Sequence, residues 1–258
     1  MSSLPFVAVN AHEVLARHGV NSFAALWALE LDAVDAPNTG RGGWSSVHRL
    51  ELEDANGDVQ CFYLKRQDNH CTRTLRAPFG EPTFSREFRA VQQYAKLGIP
   101  ALEAAFFARR TVDGRQQAVL LTRALDEYAP LDEWFERWPT LPPADIRTLA
   151  QAAGALVRAL HNAGVIHNCL YPKHVFLKLH GDGAGARLID LEKTRRAWFG
   201  QRDLIRDLET LNRRSLTPTR TQRLRFLLAY FGQQRLNAQS KALVRQLLAR
   251  QAGKEAKR

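Results

Sequence analysis

The 258 residues predict an α+β fold in two parts, a small strand-rich part followed by a larger helical one. Three observations carry this. Polar and apolar residues alternate around an Asn-Gly turn between His48 and Arg66, as in a β-hairpin. Apolar residues recur at 3.6-residue spacing at Ile146, Leu149, Ala153, Leu156, Val157 and Leu160, as on a helix face. Between that helix and Leu191 the chain reads as loop, strand, turn, strand, with polar residues gathered at two places, His167 to His174 and Asp190.

The composition is that of a globular chain, 45% hydrophobic and 24% charged, long enough to bury a core. No run of about 18 apolar residues is present, so no membrane span is expected. Met1 to Phe6 lacks the charged start and apolar stretch of a signal peptide, and the chain reads as cytosolic. Cys61, Cys71 and Cys169 make no CxxC pair, which argues against a zinc site or a disulfide frame. The net charge of +11 suits a solvated basic surface, an anionic membrane face or a phosphorylated substrate. No nucleic-acid motif accompanies it, so nucleic acid is not an expected partner.

In chain order, Asn10 to Leu31 reads as helix interrupted at Gly19, and residues 1–34 as an N-terminal helical extension. Thr39 to Val47 is a glycine-rich turn holding Gly40, Gly42 and Gly43, a weak phosphate-binding signal by itself. The strand Val59 to Arg66 ends near Lys65. Asn69 to Pro82, polar and rich in Gly and Pro, reads as a long mobile loop. Phe84 to Tyr94 is a helix whose apolar face is Phe84, Phe88, Val91 and Tyr94, with Glu87 beside Phe88. Two further strands, Ala104 to Arg109 and Gln117 to Thr122, lead through Thr122, Arg123 and Ala124 to a boundary near residue 125. The strand-rich part is then 35–124 and the helical part 125–250. Helices are expected from Gln201, over Thr221 to Leu228 and over Ser240 to Leu248, before a disordered basic tail at 251–258.

A strand lysine paired with a helix glutamate, then a polar loop before one strand and an Asp after the next, is the protein-kinase order. Lys65, Glu87, the run His167 to His174, the segment Ile189 to Lys193 and Asp207-Leu208 together resemble the lipopolysaccharide core kinases of Gram-negative bacteria, the InaA/WaaP type, which are distant relatives of protein kinases. The tail Tyr171-Pro172-Lys173-His174 and the tetrad Asp190-Leu191-Glu192-Lys193 resemble the InaA branch in particular. The resemblance covers roughly residues 20–215.

The resemblance implies a protein-kinase-like bilobal fold and an ATP- and Mg²⁺-dependent kinase. Its substrate would be a sugar hydroxyl, chiefly of heptose, on the lipopolysaccharide core oligosaccharide or lipid-linked core. Its place would be cytoplasmic, at the inner face of the inner membrane, where an anionic surface is a candidate partner. Carried over by position, Lys65 would hold the α/β-phosphates and Glu87 would orient Lys65. Gly40, Gly42 and Gly43 would lie over the phosphates, and the backbone of Thr122 and Ala124 would meet adenine. Asp190 would bind Mg²⁺, with His174 beside it as metal ligand or phosphate-positioning group. His167 would anchor the loop, and Asp207 would brace its backbone.

Cys169 is the departure. The family carries an Asp there, which accepts the hydroxyl proton, and Asn168 stands where the family carries Arg. An ordinary thiol is a poor substitute for a carboxylate base. A slow kinase, a kinase whose base is Asp203, Glu192 or Asp182, and a nucleotide-binding pseudokinase or scaffold in envelope assembly are the readings this leaves.

Overall fold

The structure is a computed structural model describing residues 4–40, 42–74 and 77–256. Arg41 of the glycine-rich turn and the tail residues Lys257 and Arg258 lie outside the described residues. The chain divides into two compact units, residues 1–93 with 102–126, and residues 94–101 with 127–258. The segment before residue 35 belongs with the first unit, and the division falls next to the boundary expected near residue 125.

The first unit is a six-stranded antiparallel sheet. In spatial order it holds β1 (Phe6–Val7), β7 (Ala104–Val112), β8 (Arg115–Arg123), β4 (Val59–Asp68), β3 (Gly43–Glu53) and β2 (Asn38–Gly40). Strand alternation gives it two distinct faces. Phe62 and Leu64 of β4, Leu50 and Leu52 of β3 and Phe106 of β7 point to one face. There they pack with Ala11, Val14 and Leu15 of α1 (Val9–Arg17) and Leu26 of α2 (Phe23–Ala28). The expected Asn10–Leu31 helix is thus two short helices, separated where Gly19 takes φ +67°. The odd residues of β4, Tyr63 and Lys65, face the other way. On that side lies α3 (Thr83–Lys96), whose Phe88 stacks on Phe107 with ring centroids 4.3 Å apart.

Asn69 to Pro82 departs from expectation. It is a hairpin, β5 (Cys71–Thr74) against β6 (Ala77–Pro82), rather than a long loop. The side chain of Gln67 closes its base, since its Oε1 accepts from Thr83 Oγ1 at 3.0 Å and from the Phe84 amide at 2.8 Å. Those bonds satisfy donors at the start of α3, a capping role taken by a residue from a distant strand.

The second unit is mainly helical. It contains α4 (Leu131–Arg137), α5 (Pro143–Asn162), α6 (Gln201–Arg214), α7 (Arg220–Phe231) and α8 (Ala238–Glu255). Gly154 lets α5 and α7 close together, because a Cβ there would sit 2.3 Å from the Phe226 carbonyl oxygen. Short strands are inserted among the helices. These are β9 (Ala129–Pro130), β11 (Val175–His180) and β12 (Gly183–Leu188) in one sheet, and β10 (Val165–Ile166) with β13 (Arg195–Arg196) in another. The disordered tail expected from residue 251 is a correction: α8 continues to Glu255. The fully buried Glu209 explains this, as Lys254 and Arg213 both pair with it. An apolar cavity of about 570 Å³ lies among α4 to α8, walled by Phe135, Trp138, Leu208, Leu211, Phe226 and Leu247. None of the candidate site residues lines it. No helix among the described residues is long and apolar enough to cross a membrane.

Candidate active site

In the first unit the site begins at Lys65. Its Nζ donates to Glu87 Oε1 at 2.6 Å, and the two side chains are 17% and 5% exposed. Being odd-numbered on β4 turns Lys65 away from the core face and towards α3, and Glu87 lies on the inner side of that helix. A half-buried ammonium held by a buried carboxylate is fixed in direction. Glu87 takes one of its three donors.

The glycines have reasons of their own. Gly42 has φ +80°, and a Cβ on Gly43 would lie 2.0 Å from the Asp68 carbonyl oxygen. The close approach of β3 to β4 therefore requires Gly43 whatever else the turn does. Gly40 pairs with Gly43 across the β2–β3 hairpin, so β3 begins at Gly43 and not after Val47 as the turn reading expected. The expected adenine contacts are backbone ones, at Thr122 and Ala124. Thr122 is buried inside β8 between Tyr63 and Ala104. The Ala124 amide donates to the Cys61 carbonyl at 2.9 Å, which leaves a contact at that residue to its carbonyl.

In the second unit the loop between β10 and β11 is pinned from below. Asp207 of α6, 1% exposed, accepts from the backbone amides of His167 at 2.7 Å and Asn168 at 2.9 Å. His161 lies 3.5 Å from the same carboxylate. Asn168 has φ +65°, where Asn is tolerated far better than most side chains. His167 Nε2 donates to the Ile189 carbonyl at 2.9 Å, tying the loop to the segment that carries Asp190. Burial pushes the His167 ring below its ordinary pKa, so it is neutral, with Nδ1 bare.

Asp190 follows β12 with φ +56° and ψ +58°, an uncommon conformation for a non-glycine residue and one that recurs at functional sites. Its Oδ2 stands 3.2 Å from His174 Nε2. His174 Nδ1 donates to the Cys169 carbonyl at 2.9 Å, so in the neutral ring Nε2 carries the lone pair. Burial lowers the His174 pKa despite the opposing pull of Asp190. Two electron-rich atoms therefore face each other, one on a carboxylate and one on an imidazole. An imidazole whose other nitrogen is held by a backbone carbonyl has the usual bonding of a metal-ligating histidine. The pair fits a divalent cation, although Mg²⁺ prefers oxygen and His174 is its weaker member. No group of three or more potential metal-ligating side chains occurs among the described residues, so substrate oxygens or water would complete the shell.

Cys169 is buried, and it interacts electrostatically with Lys193, a residue to which sequence reasoning gave no role. After Asp190 the chain makes a single tight turn, Leu191–Lys193, which sets the Lys193 ammonium 3.8 Å from Glu192 and among the charges that act on it, Cys169 and Asp190. Partial burial works against that charge, yet Cys169, Glu192 and Asp190 together raise the Lys193 pKa. The spacing of three from Asp190 was the only available signal. Among the candidate replacement bases, Asp203 is locked in a fork with Arg195 at 2.7 Å, which holds its carboxyl below the usual range. Asp182 lies in the turn at the far end of β12 from Asp190. Glu192 is the one neither geometry excludes.

The model of the lipopolysaccharide kinase (Kdo/WaaP) family matches residues 24–230. The chain belongs to that family. Kdo/WaaP kinases are phosphotransferases, the enzyme class of the family to which this chain belongs. It is 28% identical over 195 residues to protein InaA of Escherichia coli, covering 75% of this chain and 88% of that one. It is 30% identical over 158 residues to the lipopolysaccharide core heptose(I) kinase WaaP of Pseudomonas aeruginosa, covering 57% of this chain and 58% of that enzyme. A solved structure of WaaP in complex with acyl carrier protein superposes with a TM-score of 0.69 at 23% identity, covering 99% of both chains. That likeness establishes the protein-kinase-like fold of this Kdo/WaaP member, with its sheet-rich first unit and helical second unit.

Proposed function

We propose that this chain transfers the γ-phosphate of ATP to a sugar hydroxyl of the lipopolysaccharide inner core, a heptose hydroxyl, with Mg²⁺ as cofactor. The observation that carries the reading is the Lys65–Glu87 ion pair, because it fixes an ammonium with donors to spare for phosphate oxygens. Lys65 holds the α- and β-phosphates, and Glu87 keeps it aimed. Asp190 and His174 would hold the cation, which would supply positive charge against the phosphates when bound. Asp207 and His167 keep the loop rigid so that Asp190 and Cys169 hold their places. Lys193 is a second cation for the transferred phosphoryl group. Phosphoryl transfer depends mostly on positioning and charge stabilisation, and a general base adds about 10²–10⁴-fold. A thiol at position 169 therefore lowers the rate without removing the reaction. The enzyme would work in the cytoplasm, at the inner face of the inner membrane where its acceptor is assembled.

Cys169 supports a second reading, a nucleotide-binding pseudokinase that serves envelope assembly as a scaffold. Both readings require nucleotide. Saturating Mg²⁺·ATP is expected to raise the melting temperature by about 5 °C, as a ligand selective for the native state does. Lys65→Ala should melt lower, because it leaves the buried Glu87 unpaired, and should show little further shift with nucleotide. No shift in the parent protein at millimolar Mg²⁺·ATP would end both readings.

A further inference from the structure

The turn between β13 and α6 carries Trp198 and Phe199, which are 67% and 66% exposed. No other two sequence neighbours among the described residues are both exposed large hydrophobics. The turn is tightly bonded. Arg195 forks onto Asp203, and the Phe199 amide donates to the same carboxylate at 3.1 Å. The Ala197 amide donates to the Gly164 carbonyl at 2.9 Å, and the Trp198 amide to the Arg196 carbonyl at 3.0 Å. The Arg195 guanidinium lies 5.4 Å from the Trp198 ring centroid. The frame thus holds two aromatic rings mostly out in solvent.

The charges around the pair are sorted by sign. From Thr194 to Leu208 the two acids, Asp203 and Asp207, are both buried and occupied. Arg196, Arg202 and Arg206 are exposed. The outward charge of this segment is therefore positive, on a protein of net charge +11. Trp and other aromatic side chains favour the membrane–water interface, and arginines near an anionic bilayer are drawn to its headgroups. Each signal alone binds weakly, and stable peripheral attachment takes two together.

We propose that this turn is a membrane-docking element, with Trp198 and Phe199 entering the headgroup region of an anionic bilayer and Arg196, Arg202 and Arg206 meeting lipid phosphates. A bilayer is favoured over a protein partner because the outward charge beside the rings is of one sign, Arg196, Arg202 and Arg206, which matches the uniform anionic face of a lipid surface. The proposal deepens the kinase reading, since it rests on an acceptor that is lipid-linked.

The test is co-sedimentation of the full chain with phosphatidylcholine vesicles, with and without about one third phosphatidylglycerol, at low and physiological salt. The parent should bind the anionic vesicles, less so as salt rises. Trp198→Ala/Phe199→Ala should lower the partition coefficient about tenfold or more. Both positions are exposed, so its melting temperature should match the parent. Arg196→Glu/Arg202→Glu should lower partition comparably and flatten the salt dependence. Equal partition of parent and aromatic variant overturns the proposal, as does parent binding that ignores the anionic lipid. A parallel assay of parent transfer to deacylated, water-soluble core separates the two claims. Vesicle binding that needs the aromatic pair, from a parent that transfers nothing, leaves this proposal standing and removes the kinase reading. Transfer by the parent, with vesicle binding unaffected by the variants, does the reverse.

Discussion

Asp190→Asn is expected to lower phosphate transfer by about 10³-fold, the size seen when one preorganised electrostatic group is removed from an active site. The carboxylate is 41% exposed and faces the lone pair of His174 Nε2 at 3.2 Å. An amide cannot supply the anionic oxygen that a divalent cation needs. It can, however, donate an N–H to that lone pair, and Asn tolerates φ near +56° at least as well as Asp does. The variant should therefore melt at or above the parent temperature without nucleotide, while losing transfer and most of its shift with Mg²⁺·ATP. The combination of retained stability and lost activity separates a ligand role from a structural one. Initial rates within tenfold of the parent would show that Asp190 does not hold the metal.

Cys169→Asp is expected to raise transfer by about tenfold or more, given the usual worth of a general base. A buried carboxylate without a partner would endanger the fold. Lys193 weakens that objection, because its ammonium stands close enough to interact with Cys169 and would offset part of the new charge. Cys169→Ala should change the rate little if the thiol is inert, and abolish it if the thiolate has become the base. Initial rates, with melting curves to confirm folding, decide this. A folded Cys169→Asp that binds ATP and gains nothing would show that the missing base was not the obstacle, and the pseudokinase reading would then be the better one.

The elements that hold the site were legible where a local pattern carries them. Alternation around the Asn-Gly turn gave the β3–β4 hairpin with Lys65 near its end, and helical spacing gave α3 with Glu87 beside Phe88. What escaped depends on contacts between distant positions. The β5–β6 hairpin shows no clean alternation, and its base is closed by Gln67, a side chain from outside the segment. Whether the Ala124 amide was free for a ligand turned on one bond to Cys61, a residue far away in the chain. Lys193 looked like one cation among many until the turn after Asp190 set it among Glu192, Asp190 and Cys169. The reverse also held for Gly43: it drew attention as a phosphate signal, and the sheet itself supplies a sufficient reason for it.

The central claim is that the chain turns over. The direct measurement is transfer of labelled γ-phosphate from ATP to purified core oligosaccharide, with Mg²⁺ and with the metal chelated. The account predicts slow transfer to a sugar hydroxyl that needs Mg²⁺ and is lost in Asp190→Asn. Mg²⁺·ATP binding with no transfer to any core acceptor, by either the parent or a folded Cys169→Asp, would contradict it.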